Sequence, residues 1–292
     1  MSAGTGNALA GTVVCTDLDR TLIYSAAALG LSGPDADLPR LVCVELYQGR
    51  PLSFITEAAA AGLESLAARA TLVPTTTRTP EQYARVHLLR RPPRYAICAN
   101  GGRLIVDGAE DEDWSTLVRA RVAGCAEPAE VSARLAATGG DFMIKSRIAS
   151  GLFCYAVVDR PALPAGWVAD LASWCAERGW TTSLQGRKVY CLPAPLTKEA
   201  AAAEVARRTG ADLLLAAGDS LLDTGLLQVA DAAIRPPHGE LAETGWTHDG
   251  TTVSRSAGVA AGEEIVGWLL ARVDDPASVG PRGDRREHLS PA

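Results

Sequence analysis

The sequence predicts an α/β fold: a parallel, Rossmann-like sheet core interrupted once by an inserted α+β cap. Three observations carry that expectation. Short apolar, β-branched runs alternate with helical segments at both ends of the 292-residue chain. Between about residues 108 and 192 this rhythm gives way to paired helices and paired strands. Three of the apolar runs end in carboxylates and hydroxyls, and ligands bind at the carboxyl ends of parallel strands.

The elements follow in order. GTVVCTD (11–17) reads as a buried strand bounded by Gly and Asp. LVCVELYQGRPLSFIT (41–56) reads as a hairpin around Gln48–Gly49–Arg50. ITEAAAAGLESLAARA is a helix capped by Thr56, and ATLVPTTTRT is a strand ending in hydroxyls. PEQYARVHLLR is expected as a helix with Pro80 in its first turn, and RYAICANGG as a strand stopped by Asn100–Gly101–Gly102. The interruption follows: helices over DEDWSTLVRARVAGCA and PAEVSARLAATGG, strands over DFMIKSRIAS and GLFCYAVVDR, a helix through Trp167, Leu171 and Trp174, and strands over TTSLQG and RKVYCLP. The first rhythm then returns with helix KEAAAAEVARRTG, strand ADLLLAAGDS, helix LLDTGLLQVA, strand DAAIRPP and helix AGEEIVGWLLARV. The expected organisation is a core of 1–107 and 193–273 and a cap of 108–192. Residues 1–10 read as loose, and 274–292, polar and rich in Pro, Gly and Arg, as a disordered tail.

Composition narrows the function classes. A net charge of −6 without basic runs argues against nucleic acid as the main ligand. The seven cysteines show no metal-like spacing and sit mostly among apolar residues, as expected of reduced, buried thiols in the cytoplasm. No signal peptide and no apolar run of membrane-spanning length is visible. His87, His238, His248 and His288 lack ligand spacing and read as surface or packing residues, which disfavours zinc chemistry.

The chemistry gathers at the strand ends. Asp17 and Asp19 lie two apart, so in extended backbone both carboxylates would face one cleft. Such a pair needs a proton or a nearby cation. Asp219 and Asp223 add two carboxylates four residues apart, and a cluster of Asp oxygens suits Mg²⁺. Thr76 could hold a phosphoryl oxygen together with turn N–H groups. Lys198 is the only basic side chain where the α/β rhythm resumes, so it could neutralise phosphate.

These residues carry a resemblance. DLDRT (17–21), Thr76 after an apolar strand, Lys198 and GDSLLD (218–223) resemble, in order, the four motifs of the haloacid dehalogenase superfamily of phosphohydrolases. The insert after ANGG is similar to the C2-capped branch and looks most like its C2B type; the branch includes sucrose-phosphate, mannosyl-3-phosphoglycerate, trehalose-phosphate and Cof-type sugar phosphatases. The resemblance implies Asp17 as nucleophile and Asp19 as acid/base. It implies Mg²⁺ at Asp17, Asp19 (through its carbonyl), Asp219 and Asp223, and phosphate held by Thr76, Thr77 and Lys198. Ser220 would support the metal loop. Substrate choice would sit in the cap, where Lys145 and Arg147 alternate onto one face and only one of Arg187 and Lys188 points inward. The implied activity is a Mg²⁺-dependent phosphatase acting on a small phosphorylated metabolite. A phosphomutase or phosphotransferase on the same scaffold, and a phospho-ligand-binding module without turnover, are the alternatives. The chain departs from the family's usual pattern at Arg20, where Gly is common, at Leu221–Leu222, where Gly–Asn is common, and in its longer 31–56 segment.

Overall fold

A computed structural model describes residues 11–279 of the chain. Strand β1 (Thr12–Thr16) is buried throughout, with β-branched side chains packed on both faces. The hairpin follows as β2 (Leu41–Tyr47) and β3 (Arg50–Thr56). Its two-residue turn places Gln48 and Gly49 at φ 51° and 73°, the left-handed pair that suits the strand twist. Helix α1 (Glu57–Ala67) starts where the Thr56 hydroxyl accepts a hydrogen bond from Ala59 N at 3.0 Å. Next come β4 (Thr71–Pro74), α2 (Pro80–Tyr83) and β5 (Tyr95–Cys98).

The expected helix over residues 80–90 is one turn long. His87 N donates to Val44 O at 2.7 Å and Val86 bridges Glu45, so strand β2 captures the chain as soon as it leaves that turn. Two further strands, β6 (Arg103–Val106) and β7 (Ala109–Glu110), were not expected. With β5 they make a small antiparallel sheet that contains the 107/108 division. Asp107–Gly108 is its tight turn, at φ 50° and 84°.

The insert holds α3 (Glu112–Val122), α4 (Pro128–Thr138), β8 (Met143–Ala149), β9 (Phe153–Val158), α5 (Trp167–Ala176), β10 (Trp180–Gln185) and β11 (Lys188–Pro193). Its four strands form an antiparallel sheet in the order β10-β11-β9-β8. The chain then returns through α6 (Lys198–Thr209), stopped by Gly210 at φ 64°, and β12 (Leu213–Ala217). After α7 (Thr224–Val229) and β13 (Ala232–Arg235) come two short elements the periodicity does not announce, α8 (Glu240–Glu243) and β14 (Thr251–Val253). Helix α9 (Val259–Asp274) closes the core, followed by a single 3₁₀ turn at Pro276–Ser278. Of the disordered tail expected over 274–292, residues 274–279 instead carry the end of α9 and this 3₁₀ turn; residues 280–292, like the expected loose residues 1–10, lie outside the described residues.

The main sheet is parallel, in the order β14-β13-β12-β1-β4. Alternation along β1 sends Val13 and Cys15 to one apolar cluster and Val14 to the other. The first cluster packs α6 and α7 and runs on into the insert; the second packs α1, α9 and the hairpin. Five of the seven cysteines are buried and all are unpaired. Among the described residues no helix is long and apolar enough to cross a membrane.

Candidate active site

Chain order reverses around β1: β4 lies on one side and β12, from the far end of the sequence, on the other. The carboxyl ends of β1 and β12 therefore flank a crevice, the usual ligand position in an open parallel sheet. Asp17 follows β1 and donates its N–H to Ala217 O at 2.8 Å, which sets it beside the Gly218–Asp219 loop. Thr75 N donates to Thr16 O at 2.7 Å and brings the 75–78 loop to the other side of Asp17. Gly101 (φ 93°) lets the start of α6 approach, since a Cβ there would lie 2.0 Å from Thr197 O. A Cβ at Gly218 would likewise strike the Asp223 side chain at 2.4 Å.

Asp17, Asp219 and Asp223 place one carboxylate oxygen each within 4.8 Å of one another, all three buried. Lys198 enters this cluster with its side chain 1 % exposed. Its Nζ donates to Asp17 Oδ1 at 2.7 Å and to Asp223 Oδ1 at 2.6 Å. The other Asp223 oxygen accepts from Ser220 Oγ at 2.7 Å and from the N–H groups of Ser220 and Asp219 at 3.0 and 3.2 Å. Burial raises the Asp17 and Asp219 carboxyls above the ordinary range; for Asp17 the pull of Lys198 opposes this, and for Asp219 repulsion from Asp17 and Asp223 adds to it. Burial disfavours the Lys198 ammonium, yet the charges of Asp17 and Asp223 outweigh it and hold its pKa above the usual lysine range.

Asp19 does not share this cluster through its carboxylate. Strand β1 ends at Thr16, and the N–H groups of Thr21, Leu22 and Ile23 all converge on Leu18 O, turning the chain between the two aspartates. The half-exposed Asp19 side chain meets the Arg78 fork instead, accepting from Nε and Nη2 at 2.7 Å each. Desolvation would raise its carboxyl, but these bonds and the Arg78 charge hold it below the usual range. Thr76 is buried; its Oγ1 accepts from Arg78 N at 3.1 Å and its carbonyl from Asn100 N at 3.0 Å. Thr77 is buried in the same loop.

The insert sheet meets the core beside the crevice, at Glu240. Residues directly opposite in a ladder share a face. The register pairs Lys145 with Val157 and Lys188, and Arg147 with Tyr155, Tyr190 and Ser183, so all of these look the same way. That face is turned toward the core, because Ser183 Oγ and Leu184 N donate to Glu240 at 2.8 and 3.1 Å. Glu240 also accepts from Leu221 N at 2.9 Å, within the GDSLLD motif. Lys188 Nζ lies over the Tyr155 and Tyr190 rings, 5.9 and 5.8 Å from their centroids. Tyr190 first, and then Asp19, hold its ammonium above the usual range. Arg187 sits in the turn before β11 and is exposed.

No family model matches the chain, and no curated protein matches its sequence. Solved structures do match. The sucrose-phosphatase of Synechocystis, solved with sucrose and phosphate, superposes with a TM-score of 0.59 at 16% identity, over 88% of this chain and 97% of that one. A Thermoplasma acidophilum protein gives 0.58 at 13% identity, over 90% and 98%. A haloacid dehalogenase subclass IIB sugar phosphatase gives 0.54 at 11% identity, over 90% and 99%. The chain has the fold of the haloacid dehalogenase phosphatases. On that fold the four motifs expected from the sequence meet in one crevice: Asp17, the Thr76 loop, Lys198 and the Asp219–Asp223 loop.

A divalent cation suits the donor set. Three buried carboxylates face one buried lysine, with Arg20 only at the edge, 4.0 Å from Asp219, and all the donors are hard oxygens. The sequence reading did not single out Arg78, Glu45 or Glu240. For Arg78 a signal existed, as the cation closing the Thr75–Thr76–Thr77–Arg78 run; for Glu45 and Glu240 nothing in the local pattern marks them. His238 is a packing residue beside the site, its ring edge-on to Tyr24 and its Nε2 2.8 Å from Arg20 O.

Proposed function

We propose that the chain is a Mg²⁺-dependent phosphatase that hydrolyses a small phosphorylated metabolite through an aspartyl-phosphate, with sugar phosphates the first class to test. The observation that carries this reading is Asp17: a buried carboxylate at the switch point, held by Lys198 at 2.7 Å inside an acidic cluster. Asp17 attacks phosphorus, and the bond from phosphorus to the leaving oxygen breaks. Asp19 gives a proton to that oxygen, then takes one from the water that cleaves the aspartyl-phosphate, releasing inorganic phosphate and regenerating Asp17. Thr76, Thr77 and Lys198 hold the transferring oxygens as charge shifts onto them. Asp17, Asp219 and Asp223, with the Asp19 carbonyl, would hold Mg²⁺, whose charge lets an anionic carboxylate approach an anionic phosphate. Residues 1–107 and 193–273 would form the catalytic unit and 108–192 the lid. On the lid, Lys188, with Lys145 and Arg147 on the same face, would meet the leaving group; Arg187 lies at the rim.

A panel of phosphate esters with Mg²⁺, measured by phosphate release, tests this. Activity in the wild type that disappears in Asp17→Asn supports it. A metal-loaded wild type that releases no phosphate from any ester, or an Asp17→Asn enzyme with undiminished turnover, overturns it.

A further inference from the structure

Residues 41–56 form a hairpin to which the phosphatase reading gives no task. We propose that Glu45 of this hairpin, acting through Arg78, positions the Asp19 carboxylate for proton transfer to the leaving group. The inference rests on the phosphatase reading.

Glu45 is an unusual residue to find where it is. Its side chain is 0 % exposed. The β2–β3 register shifts on both sides of it, between Cys43 and Glu45 and between Glu45 and Leu46. Such bulges re-aim a side chain, and here Val44 and Glu45 are both buried although neighbours in a regular strand face opposite ways. The buried carboxylate is fully engaged. Oε2 accepts from Ser53 Oγ at 2.7 Å and lies 2.8 Å from Arg78 Nη1 in an ion pair, and Oε1 accepts from Arg85 Nε at 3.3 Å.

Arg78 joins this anchor to the reaction centre. Its backbone is fixed at both ends: N donates to Thr76 Oγ1 at 3.1 Å and its carbonyl accepts from Ala99 N at 2.7 Å. The Glu45 charge then anchors the guanidinium from the Nη1 side, at 2.8 Å. The remaining donors, Nε and Nη2, face both oxygens of Asp19 at 2.7 Å. Among the described residues no other side chain bonds the Asp19 carboxylate, and half of that side chain is open to solvent. Without Arg78 it is free to choose among rotamers; with Arg78 held from behind, it has one. A planar fork is required for this, which a lysine does not supply.

The reaction step affected is the one in which the Asp19 proton moves to the leaving oxygen as the phosphorus–oxygen bond breaks. Its weight depends on the leaving group: an alkoxide needs the proton, and p-nitrophenolate departs without it. The test compares kcat/KM, which covers every step through departure of the leaving group, for p-nitrophenyl phosphate and for the alkyl phosphate turned over fastest in the ester panel. Glu45→Gln keeps the shape and the Ser53 contact but removes the charge that holds Arg78. It should lower kcat/KM for the alkyl ester about tenfold more than for the aryl ester, part of the roughly 10²–10⁴-fold a general acid supplies. Arg78→Lys, which keeps a cation in the loop, should show the same selective loss, so the question stays answerable if Glu45→Gln does not fold. In an Asp19→Asn background neither substitution should change the ratio further. Equal losses on the two esters in the folded variants overturn the inference and leave the phosphatase reading standing. A wild type inert toward both esters overturns that reading and the inference with it.

Discussion

Lys198→Met removes the cation hydrogen-bonded to Asp17 and Asp223 while keeping most of the side-chain volume. In the wild type two charge-assisted bonds, at 2.7 and 2.6 Å, are made by a side chain that is 1 % exposed. At about 1.5–3 kcal/mol each they amount to about 3–6 kcal/mol. Removing one partner from a buried ion pair costs about 3–5 kcal/mol, so a loss of about 4 kcal/mol is expected in metal-free protein near pH 8. The loss should shrink in acid. Asp17 and Asp219 already take up protons more readily than free aspartate, first because of burial. Without Lys198 they do so more strongly, and a protonated carboxyl no longer needs the cation. The folded variant then binds more protons than the unfolded chain, so its stability falls as pH rises. Each unit by which a carboxyl is raised corresponds to about 1.4 kcal/mol, so the deficit at pH 5.5 should be smaller by at least about 1 kcal/mol. Urea unfolding followed by tryptophan fluorescence, in chelator, measures both values. A variant within about 1 kcal/mol of wild type at pH 8, or one with the same deficit at both pH values, would show that Lys198 does not neutralise this cluster.

Two further outcomes follow from the same electrostatics. Protons and Mg²⁺ compete for Asp17 and Asp219, whose carboxyls burial raises, so the rise in Tm on adding Mg²⁺ should be larger at pH 7.5 than at pH 5.5; an equal or reversed shift in a thermal melt would contradict a metal at these oxygens. Lys188→Met should raise KM for the best ester several-fold, about the 0.5–1.5 kcal/mol of one hydrogen bond, with little change in kcat; steady-state kinetics with unchanged KM would remove Lys188 from the substrate's path.

The fold was legible where the pattern was long. The central parallel strands β1, β4 and β12 are largely apolar and buried, and α1 and α6 carry a cap or a glycine stop, Thr56 before α1 and Gly210 after α6. What escaped was short or decided by tertiary contact. The helix expected over 80–90 is cut off because Val44 O takes the His87 N–H, a contact with a strand some forty residues earlier. The β6–β7 turn had a readable signal in Asp107–Gly108, a pair favoured in tight hairpins. In the site, Asp17, Asp219, Asp223 and Lys198 were legible because each closes or opens an element whose end is marked in the sequence. Glu45 was not, since strict alternation puts it on the face opposite Val44, and only the bulge brings both inside.

The two aspartates of DLDRT also show where local geometry stops being enough. Extended backbone would send both carboxylates into one cleft, a repulsion to be relieved by a proton or a nearby cation. The chain instead turns at Leu18, and each carboxylate finds its own: Lys198 for the buried Asp17, Arg78 for the half-exposed Asp19. Arg20 belongs to that turn. Its φ of 65° is left-handed, a conformation that costs a side-chain-bearing residue about 1–2 kcal/mol and that glycine adopts freely. The common glycine at this position in the resembling family thus has a backbone reason. Here the turn is held regardless, by Arg20 N donating to Ile23 O at 2.8 Å and by His238 Nε2 at 2.8 Å from Arg20 O. The side chain that glycine would lack places Nε 4.0 Å from Asp219 Oδ2, a further positive charge at the edge of the acidic cluster. The strain at position 20 and the unequal surroundings of Asp17 and Asp19 are therefore consequences of one turn.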